Sequence, residues 1–267
     1  MSKTERICVL GNSHLAAAKR GWVPIADQYP RHRLTFFGAP WDMMGQLEIE
    51  AGALIATTPK LAGKLKRSSD GLDRIEACDF DRFVLYGLQY GPRRIVHTYR
   101  NFRPVSFEWR APLHDLAPFR RSFDPVQAIS EKLFDRIAVA GLKSSLAMRI
   151  ADQLRQITDA PISLVTAPGF SENALDCGDW DGPLGAGDLE RLAKRTPRLL
   201  RKACLPGVNI IQPKPHLTRL GLFTAATYAA PPREGGQPDH VHASSEYARE
   251  MLAAALASDQ VTERPAA

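Results

Sequence analysis

The sequence predicts an α/β protein built on a parallel β-sheet with helices on both faces. Short apolar runs of β type alternate along the chain with longer segments of helical periodicity, which is the pattern of βαβ units. Three of these runs end at a glycine, at Gly11, Gly38 and Gly87, as is typical of loops that follow parallel strands. The chain has 267 residues with no internal repeat and no clean linker, so we expect a single domain over residues 1–257.

Most of the chain divides into elements that the pattern assigns in order. The strands are expected at residues 6–10, 34–37, 83–86, 161–167 and 208–212. The helices are expected at residues 14–26, 127–140, 142–157, 188–204 and 244–256, with Gly141 separating the second from the third. Residues 39–81 form an excursion that the pattern does not assign. Residues 90–125 are rich in Pro, Arg and aromatic side chains and are expected to form an irregular lid or insert, and residues 258–267 a flexible tail.

Composition and charge indicate an ordinary globular protein. The chain is 44% hydrophobic and 24% charged, with a formal net charge of +6. The basic residues are spread out and are not interleaved with aromatics, which argues against nucleic acid as a partner. The N-terminal sequence lacks a secretory pattern, and no apolar stretch approaches the roughly 20 residues that span a bilayer. We therefore expect a cytoplasmic protein with no membrane span.

The cysteines do not predict a disulfide framework or a metal centre. Cys8, Cys78, Cys177 and Cys204 include no CxxC pair and have no histidine at metal-ligand spacing. Cys8 lies inside an apolar run and is expected to be a small core residue. No metal site is expected.

The motif Gly11-Asn12-Ser13-His14 stands where the first strand gives way to the first helix. A serine there is exposed at the carboxyl edge of the sheet, and its own N–H lies at a helix N-terminus, where donors are unpaired and the dipole favours an anion. The position therefore suits a nucleophile whose reaction develops an oxyanion. The alternative is that Asn12 or Ser13 only caps the helix.

The motif Asp239-His240-Val241-His242 comes just before the last predicted helix. A serine hydroxyl becomes a useful nucleophile when a base takes its proton. Imidazole suits that task near neutral pH, and a carboxylate can fix its tautomer. Asp239 and His242 can face one site from a turn, which predicts a base with its orienting partner. The alternative is a polar loop whose histidines face water.

Together the two motifs resemble those of the SGNH (GDSL-like) hydrolase superfamily. Gly11-Asn12-Ser13-His14 resembles the first block, Gly-Asp-Ser-Leu, with Asn12 in place of Asp, and Asp239-His240-Val241-His242 resembles the last block, Asp-x-x-His. The resemblance spans the whole chain in the right order, and only these short blocks are specific. It implies a flavodoxin-like three-layer α/β/α fold, ester chemistry without a metal or organic cofactor, and a triad of Ser13, His242 and Asp239.

The same resemblance implies an oxyanion hole with three donors. One is the backbone N–H of Ser13. The second is the glycine that follows the second strand, which Gly38 fits best, with Gly45 as the alternative. The third block of the family, usually Gly-x-Asn-Asp, here reads Gly87-Leu88-Gln89-Tyr90. Gln89 therefore takes the place of Asn, with an amide that still donates but is one methylene longer.

Further side chains near these motifs could contact a substrate. Asn12 and His14 flank the nucleophile, although His14 could instead lie on the helix surface. Tyr90 and Arg93 begin the segment after the third strand, in which further basic and aromatic side chains follow: Arg94, Tyr99, Arg100, Phe102, Arg103 and Trp109. This segment could bind an anionic or sugar-containing substrate, or it could be a solvated loop with a few aromatic anchors.

The leading functional hypothesis is a serine esterase or acylhydrolase that acts on a small-molecule ester, with O-acylated carbohydrate as one candidate. Acyl transfer to a sugar hydroxyl would use the same triad. A non-catalytic binding protein that keeps the fold is a second class, motivated by Gln89, and a nucleic-acid binder is a third. The oligomeric state is left open.

Overall fold

The computed structural model describes residues 3–40, 42–105, 127–175, 186–233 and 235–258. Its strands are β1 (Glu5–Gly11), β2 (His32–Gly38), β3 (Leu47–Glu50), β4 (Ala53–Ala56), β5 (Arg74–Glu76), β6 (Arg82–Tyr86), β7 (Phe102–Val105), β8 (Gln127–Ser130), β9 (Ile162–Val165), β10 (Val208–Ile211), β11 (Thr218–Arg219) and β12 (Phe223–Thr224). Its α-helices are α1 (Leu15–Trp22), α2 (Pro59–Ser68), α3 (Pro92–Asn101), α4 (Glu131–Lys143), α5 (Leu146–Ile157), α6 (Ala186–Ala203) and α7 (Ser245–Ala257).

A five-stranded parallel sheet forms the centre of the fold, in the order β2-β1-β6-β9-β10. Numbered by their own appearance along the chain, the five strands run 2-1-3-4-5, the order of flavodoxin-like doubly wound sheets. All five correspond to strands that the sequence predicts. Every residue of β6 and β9 is buried, as expected of strands covered on both faces.

Helices pack on both faces of this sheet, as in a three-layer α/β/α arrangement. Along β1, Ile7 and Val9 join one buried cluster while Cys8 and Leu10 join another, which follows from the alternation of side chains along a strand. The first cluster contains side chains of α1 and α7, and the second contains side chains of α2 to α6. The predicted parallel sheet with helices on both faces is confirmed.

Two expectations about the segments between these strands need correction, and the structure gives the elements of the segment that the pattern leaves unassigned. Residues 92–101 form helix α3, not an irregular lid, and Phe102–Val105 pairs with Gln127–Ser130. The part of the expected lid or insert from 106 to 125 lies outside the described residues. Residues 39–81 contain the antiparallel sheet β3-β4-β5 and helix α2. Gly141 is inside α4, and the chain breaks instead at Ser144 and Ser145, where the Ser145 side chain caps α5.

Helices α1 and α7 approach each other closely on one face of the sheet. A β-carbon at Gly21 would lie 2.6 Å from the carbonyl oxygen of Ser245 and 2.8 Å from the backbone nitrogen of Arg249. Only glycine allows backbones to pass at this distance. Because α1 follows Ser13 and α7 follows His242, this contact sets the relative position of the two predicted catalytic motifs.

Three further expectations concern membrane spans, the cysteines and the C-terminal tail. Among the helices that the structure describes, none is both long and apolar enough to cross a membrane. The described cysteines, Cys8, Cys78 and Cys204, are free thiols, and Cys177 lies outside the described residues. The expected flexible tail, apart from Ser258, also lies outside them.

Gly38→Ala is expected to destabilise the fold by about 1–3 kcal/mol, the usual range for overpacking. The added β-carbon would lie 2.1 Å from the carbonyl oxygen of Gly11, so β1 and β2 would have to separate. Urea unfolding measures the change. Gly63→Ala, at an exposed position of α2 with open space around it, is the matched control and should be neutral or stabilising by up to about 1 kcal/mol. Equal stabilities of the two variants would contradict the expectation.

Candidate active site

Ser13, His242 and Asp239 are hydrogen bonded in series at the carboxyl edge of the sheet. Ser13 lies in the turn between β1 and α1, and its Oγ is 2.9 Å from Nε2 of His242. On the other side of the ring, Nδ1 of His242 is 2.8 Å from Oδ2 of Asp239. The three side chains that the sequence places in a triad therefore meet, although Ser13 and His242 are 229 residues apart.

Asp239 holds His242 through both of its carboxylate oxygens. Oδ1 accepts hydrogen bonds from the backbone N–H groups of Val241 and His242, at 3.0 and 3.1 Å. Oδ2 accepts from Nε of Arg233 at 3.1 Å as well as from Nδ1 of His242. Desolvation raises the pKa of Asp239, but the hydrogen bonds from Arg233, His242 and the two amides outweigh it and lower the pKa well below its usual range.

The ionised Asp239 fixes the tautomer of His242. An acceptor-only carboxylate requires the proton on Nδ1, so Nε2 of the neutral ring carries a lone pair toward Ser13. Arg233, which adds to this arrangement, is not predicted from the sequence. It lies in a Pro- and Gly-rich loop without periodicity, and only its contact with Asp239 reveals it.

The turn that presents Ser13 is held by Asn12. Oδ1 of Asn12 accepts from the His14 backbone N–H at 3.3 Å, and its carbonyl accepts from the Leu15 N–H at 2.9 Å. Asn12 is buried and holds the turn, and its contact with a substrate stays a prediction. The backbone N–H of Ser13 makes no hydrogen bond to any residue that the structure describes, and it remains available as an oxyanion donor.

Gly38 lies where the sequence places it, but its N–H is already used. It stands beside Gly11 in the β1–β2 register, and its N–H donates to Oγ of Ser69 at 3.1 Å. The alternative, Gly45, donates its N–H to the Asp42 carbonyl at 2.7 Å. The expectation that Gly38 or Gly45 supplies an open oxyanion donor is therefore wrong for this structure, because a buried serine at the end of α2 has taken the Gly38 N–H.

Gln89 follows β6, the strand next to β1, in a left-handed conformation with φ of 63°. Its Oε1 accepts a hydrogen bond from Nη1 of Arg94 at 3.3 Å. Arginine can only donate, so the oxygen of the amide must face Arg94 and its NH₂ group is left to donate elsewhere. The NH₂ group of Gln89 is thus not used by Arg94, and the role of Gln89 as an oxyanion donor stays a prediction.

His14 is a buried neighbour of the base. Its ring centroid is 4.9 Å from that of His242, and its side chain packs against Gly87, where a β-carbon would lie 2.8 Å from it. Only 3% of the residue is exposed, so the alternative of a helix-surface histidine is wrong. Burial, with smaller contributions from His242 and Arg93, lowers the pKa of His14 to about 3. The ring is therefore neutral at physiological pH.

Tyr90 lies in the protein core, whereas Arg93 lies beside Phe170. Tyr90 is fully buried and its hydroxyl donates to the Leu200 carbonyl, so its prediction as a substrate contact is wrong and it is a core residue. The guanidinium of the half-buried Arg93 lies 5.6 Å from the ring centre of Phe170. Phe170 is a neighbour of the site that the sequence does not predict. It precedes Ser171, whose N–H donates to the His240 carbonyl at 2.9 Å.

The triad and Gln89 lie at the point where the strand order reverses, between β1 and β6. In open α/β sheets, ligands bind in the crevice at such a point, outside the carboxyl ends of the strands. The chain matches no protein-family model, and no curated protein is significantly similar to it in sequence. Function is therefore inferred from the geometry of the chain's own residues.

Proposed function

We propose that this protein is a serine hydrolase that cleaves ester bonds and belongs to the SGNH hydrolase superfamily. The proposal is carried by one observation, the series of hydrogen bonds from Asp239 through His242 to Ser13 at 2.8 and 2.9 Å. A nucleophile, a base and an orienting carboxylate at these distances are the parts that acyl transfer requires. The resemblance of both sequence motifs to the first and last blocks of that superfamily supports the same assignment.

In the proposed reaction, Oγ of Ser13 attacks the ester carbonyl carbon while its proton passes to Nε2 of His242. The tetrahedral intermediate collapses, the alcohol leaves with the proton from His242, and the acyl group stays on Ser13. A water molecule then attacks the acyl carbon and gives a proton to His242. Collapse of the second intermediate returns that proton to Ser13 and releases the carboxylic acid.

The oxyanion is bound by the Ser13 N–H and the NH₂ group of Gln89 in this proposal. Both lie at the carboxyl ends of adjacent strands, and the hydrogen bond from Arg94 holds the Gln89 amide in the donating orientation. Each such donor typically contributes about 10²–10³ in kcat. No step of this reaction needs a metal or an organic cofactor.

A fluorophosphonate probe tests the proposal, because it labels only an activated serine. We expect covalent labelling of Ser13 and hydrolysis of short-chain 4-nitrophenyl esters, with both lost in Ser13→Ala. Ser258→Ala removes a hydroxyl that bonds the Ala255 carbonyl at the end of α7, and it should be labelled like the wild type. Folded wild-type protein that is neither labelled nor active would favour the non-catalytic binding alternative.

A further inference from the structure

Arg93 is a half-buried cation without a counter-charge in the described part of the chain. It is the second residue of α3, and no described carboxylate lies within ion-pair distance of it. Its side chain stacks on Phe170, with 5.6 Å from the guanidinium carbon to the ring centre. Stacking leaves the edges of a guanidinium, which carry its five N–H donors, open to another group. Keeping such a cation partly desolvated and unpaired is unfavourable, so a bound anion would be stabilised there.

Arg93 shares two neighbours with the proposed active site, His14 and Phe170. Its charge is close enough to His14 to help lower the pKa of that imidazole, and the His14 ring lies against His242. Phe170, on which Arg93 stacks, connects through the Ser171 N–H to the His240 carbonyl, two residues before His242. Ser13 follows β1 and Arg93 begins the helix after β6, so both lie at the carboxyl ends of adjacent strands.

The charges around Arg93 favour an anion. Arg94 follows Arg93, also without a described carboxylate partner, and both stand in the first turn of α3, where the helix dipole is positive. Asp239 is the carboxylate of the triad, and Arg233 and His242 already compensate it. His14 is neutral at physiological pH, so it neither adds to nor cancels this positive charge.

We infer that the ester cleaved at Ser13 carries an anionic group, such as a carboxylate, phosphate or sulfate, and that Arg93 binds it. The inference rests on the proposed function and narrows its substrate class to anionic esters. A guanidinium can grip such a group through two parallel N–H···O bonds. Arg93 would then determine specificity, while Arg94 positions the Gln89 amide.

Two matched pairs of esters test the inference on the full chain. Mono-4-nitrophenyl glutarate is compared with 4-nitrophenyl pentanoate, to place the charge on the acyl side. Then 4-acetoxybenzoate is compared with its methyl ester, to place the charge on the alcohol side. In the wild type, kcat/KM should favour the anionic member of at least one pair. Arg93→Gln should lower that anionic-to-neutral ratio by about 10- to 100-fold, as expected for loss of a charge-assisted bidentate contact, and Arg93→Lys should retain part of it.

Arg31→Gln is the matched control, because it removes the same charge from an exposed position just before β2, at the opposite edge of the sheet. Its anionic-to-neutral ratio should equal that of the wild type. An active, labelled wild type without preference for either anionic ester would overturn the inference alone, as would an unchanged ratio in Arg93→Gln. Absence of both labelling and hydrolysis would instead overturn the proposed function, and the inference with it.

Discussion

Replacing His242 with alanine is expected to lower kcat for ester hydrolysis by about 10⁶-fold, the scale seen when the base of a serine triad is removed. The Oγ of Ser13 would lose the proton acceptor that lies 2.9 Å away. The proposed oxyanion donors and substrate contacts would remain, so a residual rate of roughly 10³–10⁴ over water is expected. Steady-state hydrolysis of 4-nitrophenyl esters measures the loss, and the rate of fluorophosphonate labelling should fall in parallel.

His240→Ala is the control for this variant. His240 lies two residues before the base, and the contact of this residue with Ser171 is made by its backbone carbonyl, which alanine keeps. Its kcat should stay within a few-fold of the wild type. Retention of most activity in His242→Ala, or an equal loss in both variants, would show that the imidazole bonded to Ser13 is not the base.

Asp239→Asn is expected to lower kcat by about 10⁴-fold, the second largest effect. An asparagine can present its NH₂ group to Nδ1 of His242, which would move the ring proton to Nε2. That nitrogen would then face Ser13 as a donor and could not take the hydroxyl proton. Asp42→Asn changes an exposed carboxylate in the same way and should leave kcat unaltered. An Asp239→Asn enzyme within tenfold of the wild type would contradict an orienting role.

The same substitution should also cost stability in a pH-dependent way. The pKa of Asp239 is lowered in the folded protein, so its ionised form contributes stability above the ordinary carboxyl pKa of about 4. That contribution is lost as the pH falls from about 4 toward the lowered value, because in this range the unfolded chain binds a proton that the folded protein does not. The stability difference between wild type and Asp239→Asn should therefore be largest near neutral pH and shrink below about pH 4, as followed by urea unfolding.

The ends of the central strands, and the triad placed on them, could be predicted because their signals are local. The glycines at positions 11, 38 and 87 mark where apolar strands end, and the carboxyl ends of parallel strands share one edge. The spacing of Asp239 and His242 in one turn is likewise a property of a few adjacent residues. Only the contact between that turn and Ser13 could not be predicted without the three-dimensional structure.

The assignments that failed depend on partners distant in the sequence. The N–H of Gly38 is taken by Ser69, 31 residues away, in a segment whose pattern is mixed. Tyr90 is a core residue because its hydroxyl reaches the Leu200 carbonyl, 110 residues later. Neither contact can be predicted from the residues that are near Gly38 or Tyr90 in the sequence.

The prediction for residues 92–101, which form helix α3, failed for a different reason. The helical signal of this segment is local, but its charged residues favour an exposed lid. Ile95, Val96 and Tyr99 form a buried stripe at helical spacing. Pro92 occupies a first-turn position that suits proline. The helical spacing of the apolar residues, taken alone, predicts this helix.

The close contact of α1 and α7 at Gly21 bears on when Ser13 and His242 can meet during folding. During synthesis, Ser13 leaves the ribosome 229 residues before His242, and closing so long a loop is entropically costly until other contacts have formed. The nascent polypeptide therefore carries an inert hydroxyl until α7 docks on α1. In the proposed reaction, hydrolysis therefore requires that this contact between α1 and α7 has formed.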